Sequence, residues 1–372
     1  MKRDGKVQNA KIGKLLRFEG LGRKDAEEVG AGDLCAVIGI EGVDIGDTIA
    51  DPANPGALPP VTVDEPTMTM TFRINDSPFA GQDGQFVTSR QIRERLMREL
   101  ETNVALRVEN GRTSDEFIVS GRGLLHLGIL LETMRREGYE LSVGKPEVIL
   151  KEIDGVVCEP MESLVIDAPN SAVGSVMELV GARRGELVKM EPRGESTTHM
   201  LFKMTSRALI GLRGRVLTAS QGEAIMHHRF DSFVPVSTEV MRRINGVIIA
   251  TEGGQVTPYA VNLAAERGVL FVAPGEQAYA GQIIGEHNRD NDLPFHITRL
   301  KHLDNMRAAS KDATITLKPP RKMSLEQCLE YIEDDELVEI TPKVVRLRKR
   351  ILDESMRKRA ERQARDKATA DA

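Results

Sequence analysis

The chain has 372 residues, of which 40% are hydrophobic, 51 are Lys or Arg and 56 are Asp or Glu, for a formal net charge of −5. At roughly 150 residues per domain, this length and apolar content predict several domains with real cores and exclude general disorder. The negative charge argues against a nucleic-acid binder that works through bulk charge, and leaves a local basic face open. The longest apolar runs are far shorter than a membrane helix and no apolar stretch follows Met1-Lys2-Arg3, so we expect a cytoplasmic protein with no membrane partner.

The sequence carries no motif for a cofactor or for covalent catalysis beyond one tripeptide discussed below. The Gly-Lys pairs are not followed by Ser or Thr, so there is no phosphate loop, and zinc-protease and nucleophile-elbow motifs are also missing. The three cysteines, Cys35, Cys158 and Cys328, lie far apart without a CxxC pair or a histidine cluster. We therefore predict no catalytic residue, no cofactor site, no metal site and no disulfide framework.

Residues 1–62 predict part of a β-barrel followed by a linker. Short apolar runs such as residues 34–40 alternate with the turn residues Gly42 and Gly46, a pattern typical of short strands. Four prolines then fall between Asp51 and Pro60, a density that neither a helix nor a central strand tolerates. We predict a domain boundary near residue 62.

Residues 63–146 and 147–236 each predict the order β-α-β-β-α-β, that of a ferredoxin-like unit. In the first unit, residues 67–75 alternate polar and apolar side chains, as a half-buried strand does, and Ser89 can cap the following helix. In the second unit, we expect a strand at residues 163–167, a helix that ends near Gly181 and a weaker helix across residues 206–218. Two such units in tandem are the simplest interpretation.

Residues 237–352 predict a β-rich C-terminal domain, and residues 353–372 a flexible tail that is either a frayed helix or disordered. One helix of this domain begins at Ser324, where Gln327 completes a capping-box pattern. Residues 326–339 hold seven carboxylates and no Lys or Arg, which we interpret as a solvated acidic stretch. The fold class expected for the whole chain is multidomain α+β: a partial β-barrel, two ferredoxin-like units and a β-rich C-terminal domain.

A basic and amide-rich segment in the C-terminal domain is the candidate RNA-binding site. Arg and Lys neutralise phosphates, whereas Asn and His can contact sugars and base edges. Composition alone favours an ordinary solvated loop, because residues 286–311 also hold four Asp or Glu. The candidate RNA-contacting residues are Arg289, Lys301, His302, Asn305, Arg307, Lys311, Arg321 and Arg348.

Gly253-Gly254-Gln255 is the one tripeptide that suggests covalent chemistry, because peptide-chain release factors place Gly-Gly-Gln at the peptidyl transferase centre. A release-factor-like peptidyl-tRNA hydrolase acting through Gln255 is therefore an alternative function. The competing interpretation is a hairpin turn, in which glycine adopts positive φ without steric cost. We favour the turn.

Several segments resemble the elongation factor G-type translational GTPases, and the resemblance covers nearly the whole chain. Residues 120–127, 134–138 and 143–146 are similar to the third domain of these factors, residues 190–194 and 211–222 to the fifth, and residues 31–48 to the second. The last third of the chain is identified as that of the BipA (TypA) family, on residues 281–285, 291–293, 305–308, 334–339 and 348–350.

This resemblance implies a ribosome-binding protein that acts near the aminoacyl-tRNA site, assists large-subunit assembly and supports growth under stress. Ribosomal RNA of the large subunit and tRNA are the implied partners, and we expect a monomer. The family's GTP-binding domain, with its GTP and magnesium ligands, has no counterpart in this sequence, so we expect a fragment that does not hydrolyse GTP by itself. A stand-alone factor whose ribosome binding ignores guanine nucleotide is the other open interpretation.

Overall fold

The computed structural model describes residues 6–43, 45–53, 56–59, 66–236, 243–300 and 317–370. The chain divides into two compact units: Met1–Asp64 with Arg98–Val104, and Glu65–Met97 with Ala105–Ala372. The described part is a multidomain, mostly β, α+β protein, in agreement with the expected fold class. No described helix is both long enough and apolar enough to cross a bilayer.

The N-terminal unit contains a three-stranded antiparallel sheet in the order β2-β1-β3. Its strands are β1 (Lys14–Glu19), β2 (Gly22–Asp25) and β3 (Cys35–Ile38). Gly20 has a φ of 58° in the two-residue turn between β1 and β2, a conformation that favours glycine. The described strands of this unit form an open sheet, so the expected barrel is not observed as a closed structure.

The first α+β unit places two helices against a four-stranded antiparallel sheet in the order β7-β4-β6-β5. Burial of Phe72, Leu96 and Leu131 holds the helices to the sheet. The elements are β4 (Met68–Ile74), α1 (Ser89–Leu100), β5 (Arg107–Asn110), β6 (Glu116–Gly121), α2 (Leu124–Arg136) and β7 (Leu141–Val143).

The cap of α1 lies one residue before the predicted Ser89. The amide of Gln91 donates to the hydroxyl of Thr88 at 3.4 Å, and the amide of Thr88 donates to the Gln91 side chain at 3.1 Å. This is the reciprocal arrangement of a capping box. Ser89 is instead the first helical residue.

The second α+β unit repeats this arrangement with the sheet order β11-β12-β10-β13. The predicted helix across residues 206–218 is broken at Gly211, whose φ of 71° ends one helix before the next begins. Two short strands precede the unit: β8 (Glu147–Val148) and β9 (Lys151–Ile153). The unit itself consists of β10 (Val156–Pro169), α3 (Val173–Gly181), β11 (Glu186–Arg193), β12 (Thr197–Thr205), α4 (Ser206–Leu209), α5 (Leu212–Ala219) and β13 (Ile225–Pro235).

The C-terminal domain contains a helix that the sequence analysis missed, α6, which Thr257 caps and Pro258 begins. The predicted capping box of Ser324 and Gln327 is confirmed. Of the two alternatives for the tail, the described residues form a helix. The elements are β14 (Val247–Ala250), β15 (Gly254–Gln255), α6 (Pro258–Ala264), β16 (Gly268–Leu270), β17 (Gln277–Ala278), β18 (Gln282–His287), β19 (Leu293–Phe295), α7 (Leu325–Tyr331), β20 (Glu336–Ile340), β21 (Val345–Lys349) and α8 (Glu354–Ala370).

One continuous sheet joins the first α+β unit to the C-terminal domain, although their sequences are far apart. Strand β20 pairs with β21 on one side and with β7 on the other, where Val338 lies opposite Val143 and Ile340 opposite Leu141. All five residues of β20 are buried, as expected for a central strand covered on both faces. The C-terminal domain is therefore hydrogen-bonded through its main chain to the first α+β unit.

Candidate RNA-contact surface

The residues predicted to contact RNA fall into three groups in the structure. Arg289 and Arg321 are exposed, whereas Arg348 is buried. The other five predicted residues lie in the segment 301–316, outside the described residues: Lys301, His302, Asn305, Arg307 and Lys311.

Arg289 lies at one end of the C-terminal sheet, beside a second arginine. Its carbonyl accepts a hydrogen bond at 2.7 Å from the amide of Gly246, which immediately precedes β14. The amide of Asn288 donates at 2.9 Å to the carbonyl of Arg267, which immediately precedes β16. Both arginine side chains are exposed. Main-chain hydrogen bonds therefore fix the backbone of Arg267 and Arg289 at the same end of the sheet.

Arg321 is held near this end by a main-chain hydrogen bond, an ion pair and a ring contact. Its amide donates to Leu270 at 2.8 Å, and its guanidinium donates to Glu286 at 2.6 Å and lies 4.9 Å from the ring centre of Phe271. Burial would raise the pKa of Glu286, but hydrogen bonds from Asn245 and Arg321 hold this pKa below its ordinary value. Since a guanidinium has five N–H donors, this ion pair still leaves donors for a phosphate.

We call Arg267, Arg289 and Arg321 the basic edge. Sequence analysis missed Arg267, because it precedes the amide-rich segment and no local pattern marks it. The signal that identifies it is the pairing of β16 with β18, which only the fold reveals.

The residues on either side of the segment 301–316 are held by the same domain. Before it, the hydroxyl of Thr257 donates to the carbonyl of Arg299 at 2.5 Å. After it, Leu317 packs against a core cluster that contains Ile284 and Ile297. The segment therefore leaves and rejoins the domain that carries the basic edge.

Arg348 differs from its prediction as an RNA contact. It is 0% exposed in β21, and its Nη2 is bound by Asp76 in the loop after β4. Among the described residues, its Nε and Nη1 have no hydrogen-bond partner. A guanidinium enclosed in this way offers no surface to a phosphate, so Arg348 is a structural residue and is removed from the candidate surface.

A buried polar cluster, which we call the polar seam, ties the C-terminal domain to the loop after β4. It consists of Asn75, Ser77, Glu140, Tyr279 and Glu339. The Asn75 amide donates to Glu140 at 2.6 Å and to Glu339 at 3.1 Å, and Ser77 donates to Glu339 at 3.0 Å. The one sign of this cluster in the sequence is Glu339, a carboxylate among the otherwise apolar residues 337–340.

The acidic turn, residues 333–336, is bound by basic side chains. Asp334 and Asp335 are exposed, as predicted for a solvated stretch, whereas Glu336 is buried, contrary to that prediction. Lys145 lies 2.6 Å from Glu333, and Arg243 donates to both carboxylate oxygens of Glu336 at 2.8 and 2.9 Å. Lys145 follows β7, whereas Arg243 leads into the C-terminal domain. The turn therefore joins segments that are distant in sequence.

Lys349 completes this cluster from β21. Its ammonium lies 2.7 Å from Asp292, 2.7 Å from Asp335 and 3.0 Å from Glu336, and its side chain is only 4% exposed. Burial alone would lower the pKa of Lys349, but the three carboxylates outweigh burial and raise this pKa. The cluster is a paired network in which Lys349 and Glu336 are buried and Asp335 is exposed.

Gly253-Gly254-Gln255 lies at the start of a short strand pair and does not form a simple hairpin turn after β14. Gly254 has a φ of 144°, and Gln255 pairs with Gln277 of β17. The Gln255 side chain is exposed and donates to the carbonyl of Gly275 at 3.3 Å. Gly254 thus has the positive φ that the turn interpretation expected of a glycine, but it has it within a strand pair formed with β17.

Within the described ranges, no cluster of three or more His, Cys, Asp or Glu side chains could hold a metal ion. The chemistry that the described C-terminal domain offers is that of exposed guanidinium groups fixed by a rigid sheet. Such groups bind phosphate oxygens without covalent chemistry.

Two family models match the chain. The model described as the elongation factor G C-terminus matches residues 156–244, and the one described as the TypA/BipA C-terminal domain matches residues 245–354. The first match covers the second α+β unit, and the second covers the domain with the basic edge.

Curated relatives from several organisms carry the name large ribosomal subunit assembly factor BipA. The protein of Synechocystis sp. is 51% identical over 349 residues, which are 94% of this chain and 58% of the relative. The protein of Bacillus subtilis is 48% identical over 371 residues, 100% of this chain and 60% of the relative. That of Salmonella typhimurium is 48% identical over 360 residues, 96% of this chain and 59% of the relative. The chain thus spans about three-fifths of the length of these relatives.

Proposed function

Since this chain belongs to the BipA family, we propose that it is the ribosome-binding portion of a large-subunit assembly factor and that its C-terminal domain binds ribosomal RNA. The observation that carries the proposal is the basic edge, in which exposed arginines are fixed at one end of a sheet of the domain matched by the TypA/BipA model. The name shared by the relatives supplies the class of partner. Recognition of RNA phosphates, without covalent chemistry, is the activity assigned to these residues.

This proposal also assigns a type of domain to each part of the chain before the C-terminal domain. We interpret the N-terminal sheet as part of a barrel-type domain, and residues 63–146 and 147–236 as two ferredoxin-like units. In support, both α+β sheets place the first and third strands of the unit at their centre. We assign no GTP or magnesium ligand to the residues of this chain.

The proposed RNA contacts are the basic edge and the segment 301–316 that rejoins the domain beside it. Arg289 and Arg321 belong to the basic edge. Lys301, His302, Asn305, Arg307 and Lys311 remain proposed contacts on their residue types alone. We place the bound chain near the aminoacyl-tRNA site, as a cytoplasmic monomer that acts in stress-adapted translation.

Co-sedimentation with purified 50S subunits across a salt series tests the proposal. The matched pair of variants is Arg289→Glu/Arg321→Glu, which reverses two charges of the basic edge, and Lys358→Glu/Arg359→Glu, which reverses two exposed charges on α8. We expect the first variant to bind more weakly and to reduce the slope of log K against log salt by roughly one for each lost phosphate contact. The second variant is expected to bind as the unaltered chain does.

Equal binding by both variants and the unaltered chain at every salt concentration would contradict the assignment of the basic edge. The same series, with and without a non-hydrolysable GTP analogue, tests the nucleotide independence expected of these residues. Binding of this chain that required the analogue would contradict it.

A further inference from the structure

A cavity of about 380 Å³ lies where the two α+β units meet helix α7. Its walls come from the first turns of α2, from α4 and the residues that follow it, from β13 and from α7. This volume lies at the lower end of the roughly 300–1,000 Å³ that is usual for small-molecule sites. Nothing in the proposed RNA contact uses it.

Apolar side chains form much of the lining and are left uncovered. Leu125 and Ile129 lie one turn apart on α2 and are 49% and 58% exposed. Met68, Leu209 and Met226 also line the cavity. Because uncovered apolar area inside a concave surface is a source of binding free energy, these walls favour a ligand with an apolar body.

Two buried side chains, Ser206 and Glu162, and one exposed side chain, His228, form a hydrogen-bonded group in the same lining. Ser206 donates to one carboxylate oxygen of Glu162, and the other oxygen contacts Nδ1 of His228. This contact engages Nδ1, so only Nε2 of the His228 ring is left for another partner. Ser206 bonds to a carboxylate and not to the imidazole, so the group does not form an activated nucleophile.

Two carboxylates of α7 line another part of the cavity. Glu326 and Glu330 lie one turn apart on the same helix face. Burial, together with the charge of Glu326, raises the pKa of Glu330, while the charges of Arg183 and Arg215 and the main-chain amide of Gly211 act in the opposite direction. Within the described part of the chain, neither glutamate forms an ion pair with a basic side chain. Like charges at this spacing repel each other, so a cation between them would be stabilised.

Two arginines, Arg122 and Arg213, also line the cavity. Both are exposed to water, where ions and solvent screen their charge. Glu326 is exposed in the same way, whereas Glu330 is only half-exposed, so the charge of Glu330 is screened less. The acceptors on offer are thus the carboxylates of α7.

We propose that this cavity is a binding site for a small organic amine, with its ammonium group between Glu326 and Glu330 and its apolar stem against Leu125 and Ile129. Hydrogen-bond donors of the ammonium match the acceptor-rich part of the lining. The stem covers the apolar residues of α2. This site is independent of the basic edge.

The test is ligand-observed NMR titration of this chain with 4-phenylbutylamine and with 4-phenylbutan-1-ol, which has the same stem without the charge. We expect the amine to bind with a Kd on the order of a millimolar or tighter, and the alcohol to bind more weakly. In Glu326→Gln/Glu330→Gln, the Kd of the amine should rise at least tenfold while that of the alcohol stays unchanged. Glu178→Gln, a neutralised exposed glutamate on α3, is the matched control.

A second variant keeps the test decisive if the double substitution disturbs folding. Ile129→Lys changes an exposed residue and places an ammonium in the cavity, so both probes should lose binding. Absence of amine binding to the unaltered chain, equal Kd values for amine and alcohol, or an unchanged amine Kd in both variants would overturn the proposal. Tighter binding of a capped lysine tripeptide than of the free amine would overturn the small-molecule assignment in favour of a partner's side chain.

Discussion

The phenol of Tyr279 donates a hydrogen bond to Glu339 at 2.6 Å, and both side chains are buried where the C-terminal domain meets the loop after β4. Burial, together with the charge of Glu339, raises the pKa of Tyr279, so the phenol stays protonated at physiological pH. The contact belongs to the polar seam. Both residues belong to the C-terminal domain, and Glu339 in turn accepts hydrogen bonds from Asn75 and Ser77 of the loop after β4. Tyr279 therefore holds the carboxylate through which the C-terminal domain is joined to the first α+β unit.

Tyr279→Phe is expected to lower the free energy of unfolding by about 1–3 kcal/mol, because it removes a donor from a buried carboxylate. Urea denaturation followed by circular dichroism measures this change. The control is Tyr259→Phe, at a half-buried position of α6 with no hydrogen bond to a buried carboxylate among the described residues, which should stay within about 0.5 kcal/mol of the unaltered chain. Equal denaturation midpoints for the two variants would contradict the role given to the polar seam.

Lys349→Met should be more damaging, with an expected loss of about 3–5 kcal/mol, because it removes a charge that buried Glu336 needs. The same denaturation experiment measures it. Lys358→Met, which breaks an exposed pair with Glu354, should cost about 0.5 kcal/mol or less. A small effect of Lys349→Met would mean that Arg243 alone neutralises the acidic turn.

Glu132 provides a prediction for the pH dependence of stability. Hydrogen bonds from Arg135 and Arg136 lower its pKa to about 2. Because the folded-state pKa is depressed, the stabilisation is present above pH 4.5, the ordinary value, and is lost as the pH falls towards 2. Between pH 6 and 2, the unaltered chain should therefore lose more stability than Glu132→Gln. Parallel stability curves for the two proteins would refute this.

The three thiols should differ in reactivity with Ellman's reagent. Cys35 is exposed, whereas Cys158 and Cys328 are buried, and burial raises the pKa of Cys328 to about 12. One thiol should react rapidly in the folded protein and all three in denaturant. Cys35→Ser should abolish the rapid reaction, and a rapid reaction that survived this substitution would contradict the burial of the other two.

Local patterns predicted most elements of the two α+β units. The alternation in residues 67–75 predicted β4, and the expected cap at Ser89 located the start of α1 to within one residue. These signals are local because one face of each element is buried and the other is not. The break at Gly211 escaped them, since an apolar spacing does not record the φ of one glycine.

The candidate site was less predictable, because tertiary contacts decide which charges are exposed. Arg348 and Arg289 have the same side chain, yet one is enclosed by the sheet and the other lies at its end. In the same way, Glu336 belongs to a run of acidic residues that composition predicts to be exposed. In the structure it is buried and forms ion pairs with Arg243 and Lys349. These pairings join residues that are separated by many positions, so no sequence window contains them.

The pairing of β20 with β7 bears on how this protein can be divided for expression. A protein shortened before residue 245 would retain β7 but lose β20, and would expose a row of main-chain donors and acceptors at residues 141–143. The excised C-terminal domain would expose the complementary row on β20, a strand whose side chains are all buried in the intact protein. Each half would have an unpaired strand edge that favours aggregation. The boundary between the two family matches, at residues 244 and 245, is therefore a poor place to divide the protein.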